Sequence, residues 1–147
     1  MDRVPIYEAK IQACVAQNQL RSGIDTALMI LRELGIDLPS DPTPEDVGAA
    51  LGRTHTLLAE TLPSVLVELP LMTDDWAKAK MRILSSMFGA AYNGCPLLLP
   101  LTICQQVDLS WQYGNTELSA FAYTSYHNLA SYRSRKNDRQ STGEESL

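Results

Sequence analysis

Apolar residues recur at helical spacing along most of the chain. Between residues 4 and 17, Tyr7, Ile11, Cys14 and Val15 stand at i, i+4, i+7 and i+8, which puts them on one face of a helix. After the polar turn Gln17-Asn18-Gln19, residues 20–34 place Leu20, Ile24, Ala27, Leu28, Leu31 and Leu34 on one face. Gly35 is a helix stop, and Pro39 and Pro42 follow it. Thr43-Pro44-Glu45-Asp46 combines an N-cap, a proline at the first helical position and acids in the first turn. That helix is expected to reach about Glu60, carrying Val47, Leu51, Leu57 and Leu58, with Gly48 and Gly52 weakening it.

Leu62 to Leu71 is apolar but interrupted by Pro63 and Pro70, which predicts one short helix or a turn. Thr73-Asp74-Asp75 opens a helix to about Tyr92, with Ala77, Met81, Leu84, Phe88 and Ala91 in one stripe and Asn93-Gly94 at its end. Pro96 restarts the chain, and a helix should run to about Tyr113, with Pro100 tolerated only in its first turn. Gly114 fits the position after that helix, and Asn115 can cap a last helix over 116–132. No alternating strand pattern of useful length occurs. The expected fold is all-α, with TPR-like helical hairpins stacked as a short, irregular α-solenoid of about five to six helices.

The first hairpin, residues 4–37, matches the tetratricopeptide length of about 34 residues. With Tyr7 at its first aromatic position, Gly23 falls where the repeat needs a small residue, and Ala27 and Ile30 fall at the next packing positions. The match is partial. Ile11 stands where Gly or Ala is usual, Cys14 where Tyr is common, and Gly35 replaces the terminal proline. A second hairpin, 73–113, is longer than the repeat, hence the irregularity.

Charge changes this picture in one place. From Ile83 to Tyr132 there is no Lys or Arg, and the only acids are Asp108 and Glu117. A helix with one apolar stripe keeps a charged face to water. Helices without one are central in a stack or meet a partner. From residue 133 the chain turns polar and charged up to Leu147, so 1–132 is expected as the helical domain and 133–147 as a disordered tail. The length of 147 residues suits one domain, and a net charge of −5 argues against a nucleic-acid surface. Three cysteines without a C-x-x-C, no signal-peptide core and no apolar run near membrane length lead to a soluble, cytoplasmic expectation with no membrane contact.

Site chemistry is sparse. None of Lys10, Lys78, Lys80 and Lys136 follows a glycine, so no phosphate-cradling P-loop is present, and no kinase catalytic loop occurs. His55 and His127 lack companions at metal-ligand spacing, and no motif accompanies Cys95 or Cys104. Asp74-Asp75 read as first-turn acids that reach Lys78, with Lys80 and Arg82 completing a solvated, ion-paired face. No catalytic, cofactor or metal residue is expected, and no cofactor. The one candidate contact group is aromatic: Phe121, Tyr123, Tyr126 and Tyr132, a binding platform or repeat core.

Several stretches carry a resemblance. They are Leu69-Pro70-Leu71-Met72-Thr73-Asp74, Ala79 to Ser86, Ala90-Ala91-Tyr92, Pro96-Leu97-Leu98, Val107-Asp108-Leu109-Ser110, Tyr113-Gly114-Asn115 and Ser119-Ala120-Phe121-Ala122-Tyr123. Ile11-Gln12-Ala13 and Leu31 to Ile36 belong with them. Over roughly residues 4–126 the series resembles the TPR-like helical-repeat segment of large bacterial multi-sensor signalling kinases. That family joins a serine/threonine kinase domain, a P-loop ATPase domain, this repeat region, GAF sensors and often a histidine kinase. None of its catalytic residues maps onto this chain. The resemblance implies a non-catalytic module that docks or relays between ATPase or kinase and sensor parts. Its partners would be those domains, neighbouring repeats or a second copy. The alternatives are a truncated kinase gene remnant and a self-associating stand-alone adaptor.

Overall fold

The structure, a computed structural model, describes residues 3–59, 61 and 63–142. Eight helices occupy the described residues: α1 (Val4–Ala16), α2 (Leu20–Glu33), α3 (Pro44–Leu58), α4 (Pro63–Val67), α5 (Asp75–Ser86), α6 (Phe88–Gly94), α7 (Leu98–Tyr113) and α8 (Ser119–Thr142). The fold is all-α. Its only extended pairing among the described residues is an isolated parallel bridge between Leu71 and Asn115.

Local chemistry sets most boundaries. α2 ends in a Schellman motif: Gly35 takes φ +96°, and the Ile36 N–H donates to the Leu31 carbonyl at 2.8 Å. α3 starts with a capping box, in which the Thr43 hydroxyl accepts from the Asp46 N–H and the Asp46 carboxylate accepts from the Thr43 N–H. Asp74 caps α5 by accepting from the Ala77 N–H at 2.8 Å. Pro100 lies in the first turn of α7, as its missing N–H requires.

Among the described residues the helix count rises from the expected five to six to eight. The short α4, one of the two options read from Leu62 to Leu71, forms, and the helix expected to run to about Tyr92 is broken at Met87. There the Ser86 hydroxyl donates back to the Arg82 carbonyl at 2.8 Å. The last helix also differs from its expected span. It begins at Ser119 and continues to Thr142, ten residues beyond 132. Of the expected disordered tail, residues 143–147 lie outside the described residues.

α7 is the central helix, packing against α3, α5, α6 and α8. Its buried residues, among them Leu98, Leu101, Cys104, Gln106 and Val107, cover more than one face, which accounts for its lack of charge. α1 and α2 form a hairpin whose close approach to α6 runs through Gly23. A Cβ there would lie 3.3 Å from Cys14 and 3.7 Å from Ala90. With α3 and α4 set aside, α1, α2, α5–α6, α7 and α8 touch in chain order, and α1 also packs on α5. α3 breaks that order by folding onto α7. α1 and α8 therefore stand at opposite ends of the packing order.

Candidate functional site

Two adjoining features organise the end of the molecule formed by α4, α7 and α8. The first is a hydrogen-bonded knot centred on Asn115. Its backbone N–H donates to the Pro70 carbonyl and its carbonyl accepts from the Met72 N–H, both at 2.8 Å. Its side-chain amide donates to the Leu66 carbonyl at 2.6 Å, and its Oδ1 accepts from the Tyr123 hydroxyl at 2.6 Å. One residue thus joins α4, the 69–72 segment and α8. Asn115 does not cap α8, as the sequence suggested. That end is held by the Ser119 hydroxyl, which accepts from the Thr116 N–H at 2.9 Å and lies 2.6 Å from the Ser110 hydroxyl of α7.

Gly114 makes the knot possible. Its φ of +102° with ψ near 180° is a backbone state reserved for glycine, and any Cβ would run into the Pro70 carbonyl oxygen. Three of the stretches behind the family resemblance, 69–74, 113–115 and 119–123, converge here.

The second feature is an open groove of about 480 Å³ beside the knot. Leu58 at the end of α3 and Leu66 and Val67 of α4 form one wall, and Tyr123, Tyr126 and His127 of α8 form the other. Among the described residues that line it there is no carboxylate, lysine or arginine. Burial raises the pKa of the Tyr123 phenol, with the nearby Ser110 hydroxyl opposing, so the phenol stays neutral across the physiological range. Val67 at the rim is 69% exposed, while Leu66 beside it is buried.

The four aromatic residues singled out in the sequence do not form one surface. Tyr123 and Tyr126 line the groove, and Tyr126 also packs against the core. Phe121 is exposed on another side of α8 and meets Phe88 edge-on, with ring centroids 5.3 Å apart. The Tyr132 side chain lies outside the described residues. The separation was legible, since two residues correspond to about 200° of helix rotation. The α4 wall was not, because Leu66 and Val67 reach α8 only through the tertiary fold.

The other candidate groups are spread out. His55 and His127 are exposed, and Cys14 and Cys104 are buried. Burial pushes the Cys104 thiol up to about 11, assisted by the Asp108 charge and opposed by Thr54 and Arg53, so it is held as a thiol rather than a nucleophilic thiolate. Among the described residues no three His, Cys, Asp or Glu side chains gather where they could hold a metal. Lys78 does not pair with Asp74 or Asp75. The basic face instead uses Arg82, whose Nε lies 2.8 Å from the Glu8 carboxylate of α1. No helix among the described residues is long and apolar enough to cross a membrane. Compared with protein-family models, curated proteins and solved structures, the chain matches none.

Proposed function

We propose that this chain is a non-catalytic helical interaction module, of the kind the resemblance to signalling-kinase repeat segments implies. It docks a helix of a partner protein and relays contact between kinase or ATPase and sensor parts. The observation that carries this reading is the α4–α8 groove of about 480 Å³: mostly apolar walls, a phenol held neutral, and no Asp, Glu, Lys or Arg among its described lining residues. Such a surface suits the apolar stripe of a helix, which binds through anchors at i, i+3, i+4 and i+7. The protonated, buried Cys104 also favours binding over nucleophilic chemistry.

The test is calorimetric titration of the chain with purified serine/threonine kinase, P-loop ATPase and GAF segments of such a kinase. One of them should bind, and Val67→Lys should weaken it by about tenfold or more through loss of apolar contact at the rim. If no segment binds, or if the substitution changes nothing, the docking reading fails.

A further inference from the structure

The groove has a counterpart at the other end of the packing order. The outer face of α1 is mostly apolar. Ile11 and Cys14 point inward, while Pro5, Ile6, Ala9, Ala13 and Ala16 lie together on the outside. Ile6 is 67% exposed. Helical stacks need polar outer faces at their ends to stay apart. On α1 only Lys10 and Gln12 interrupt the exposed apolar residues, and the walls of the groove are mostly apolar.

The two surfaces also match in charge. Arg3 and Lys10, seven residues apart and both exposed, flank the apolar face of α1 on one side. Glu68 is exposed and follows the groove residue Val67 in the chain, just past the end of α4. None of these three forms an ion pair with another described residue. The alanines of α1 allow close backbone approach, and Ile6 is the projecting side chain that an apolar groove can take.

We propose that the groove of one copy receives the α1 face of a second copy, so that the chain stacks head to tail. This rests on the docking reading and names its occupant. The contact is heterologous: each copy keeps one free groove and one free α1 face, so assembly continues past a dimer unless an end is blocked.

Light scattering on the full chain across a concentration series tests it, using Ile6→Lys and Val67→Lys. Both sites are exposed, and circular dichroism checks that each variant remains helical. The wild-type weight-average mass should climb from 16.2 kDa to more than twofold over about 5 to 500 µM, the range for a small interface. Each variant alone should stay monomeric, because one of its two surfaces now carries a misplaced charge. An equimolar mixture retains one intact pairing, the groove of the Ile6→Lys chain with the α1 face of the Val67→Lys chain. It should give a 1:1 species and stop there.

A two-fold symmetric dimer would instead be abolished by a variant and not restored by mixing, which overturns the proposal. So does association that survives both substitutions. A wild-type chain that is monomeric throughout overturns it as well, while a kinase, ATPase or GAF segment that still binds in the calorimetric titration leaves the docking reading standing.

Discussion

The knot around Asn115 and the groove around Tyr126 lie side by side on α8, and they are built on opposite principles. In the knot every polar group of Asn115 has a partner inside the chain. In the groove apolar walls face solvent, and no described residue covers them. Tyr123 belongs to both: its hydroxyl is tied to Asn115 and its ring lines the groove. The most distinctive stretches of the sequence, Leu69 to Asp74 and Tyr113 to Asn115, thus hold α4 in place. The surface that α4 then offers is made of ordinary Leu and Val. Distinctiveness in this chain marks the support, and the contact surface follows from it.

The comparison breaks hardest at Gly114. An alanine there must adopt a glycine-only backbone state and displace the Pro70 carbonyl. Gly114→Ala should lower stability by about 3 kcal/mol, read as a fall in the urea midpoint at constant slope. An unchanged midpoint would mean that the 69–72 segment is not held as described.

Asn115→Ala is the next step down. It leaves the Leu66 carbonyl and the Tyr123 hydroxyl without their partners, at a cost of about 2 kcal/mol. Asn115→Asp should not rescue it. The second carboxylate oxygen would face the Leu66 carbonyl, replacing a donor with an acceptor. Because α4 is the groove wall, both substitutions should also weaken whatever the groove binds. Intact binding in a destabilised Asn115→Ala chain would separate the two features.

What the sequence revealed here was the local part. The capping box at Thr43, the stop at Gly35 and the place of Pro100 depend on neighbours within one turn, and each sits where the pattern put it. Asn115 was misread as a cap because its true partner Leu66 is 49 positions away. α3 gave no sign that it would leave the chain order and lie on α7. Asp108, the single charge of α7, did carry a signal. A lone carboxylate in an uncharged helix needs a reason, and its Oδ1 accepts from the Thr54 hydroxyl of α3 at 3.0 Å.

That contact gives a smaller, pH-dependent effect. Burial raises the pKa of Asp108, while the Thr54 hydrogen bond and the Arg53 charge oppose the rise. The folded state therefore keeps the proton to higher pH than the unfolded chain does. Its stabilising contribution is complete below the ordinary carboxyl value and is lost as pH rises through the folded value. Asp108→Asn retains an acceptor for Thr54 and removes the ionisation. It should raise the urea midpoint at pH 7, with the gain shrinking towards about pH 3.5. A variant less stable than wild type at pH 7 would show that the ionised carboxylate contributes more through Thr54 and Arg53 than its burial costs.

Val67→Lys marks the lower end of the series and isolates the groove from the knot. The side chain is 69% exposed, forms no part of the core, and ends a five-residue helix where a cation suits the C-terminal dipole. Its effect on stability should stay within about 0.5 kcal/mol. Binding through the groove should nevertheless be lost, because a charge at the rim must be desolvated against an apolar partner. A large fall in the urea midpoint would place Val67 among the supports of the fold, and loss of binding in that variant could then no longer be assigned to the surface. A midpoint that holds while binding disappears puts structure at Asn115 and recognition at Val67, on opposite sides of Tyr123.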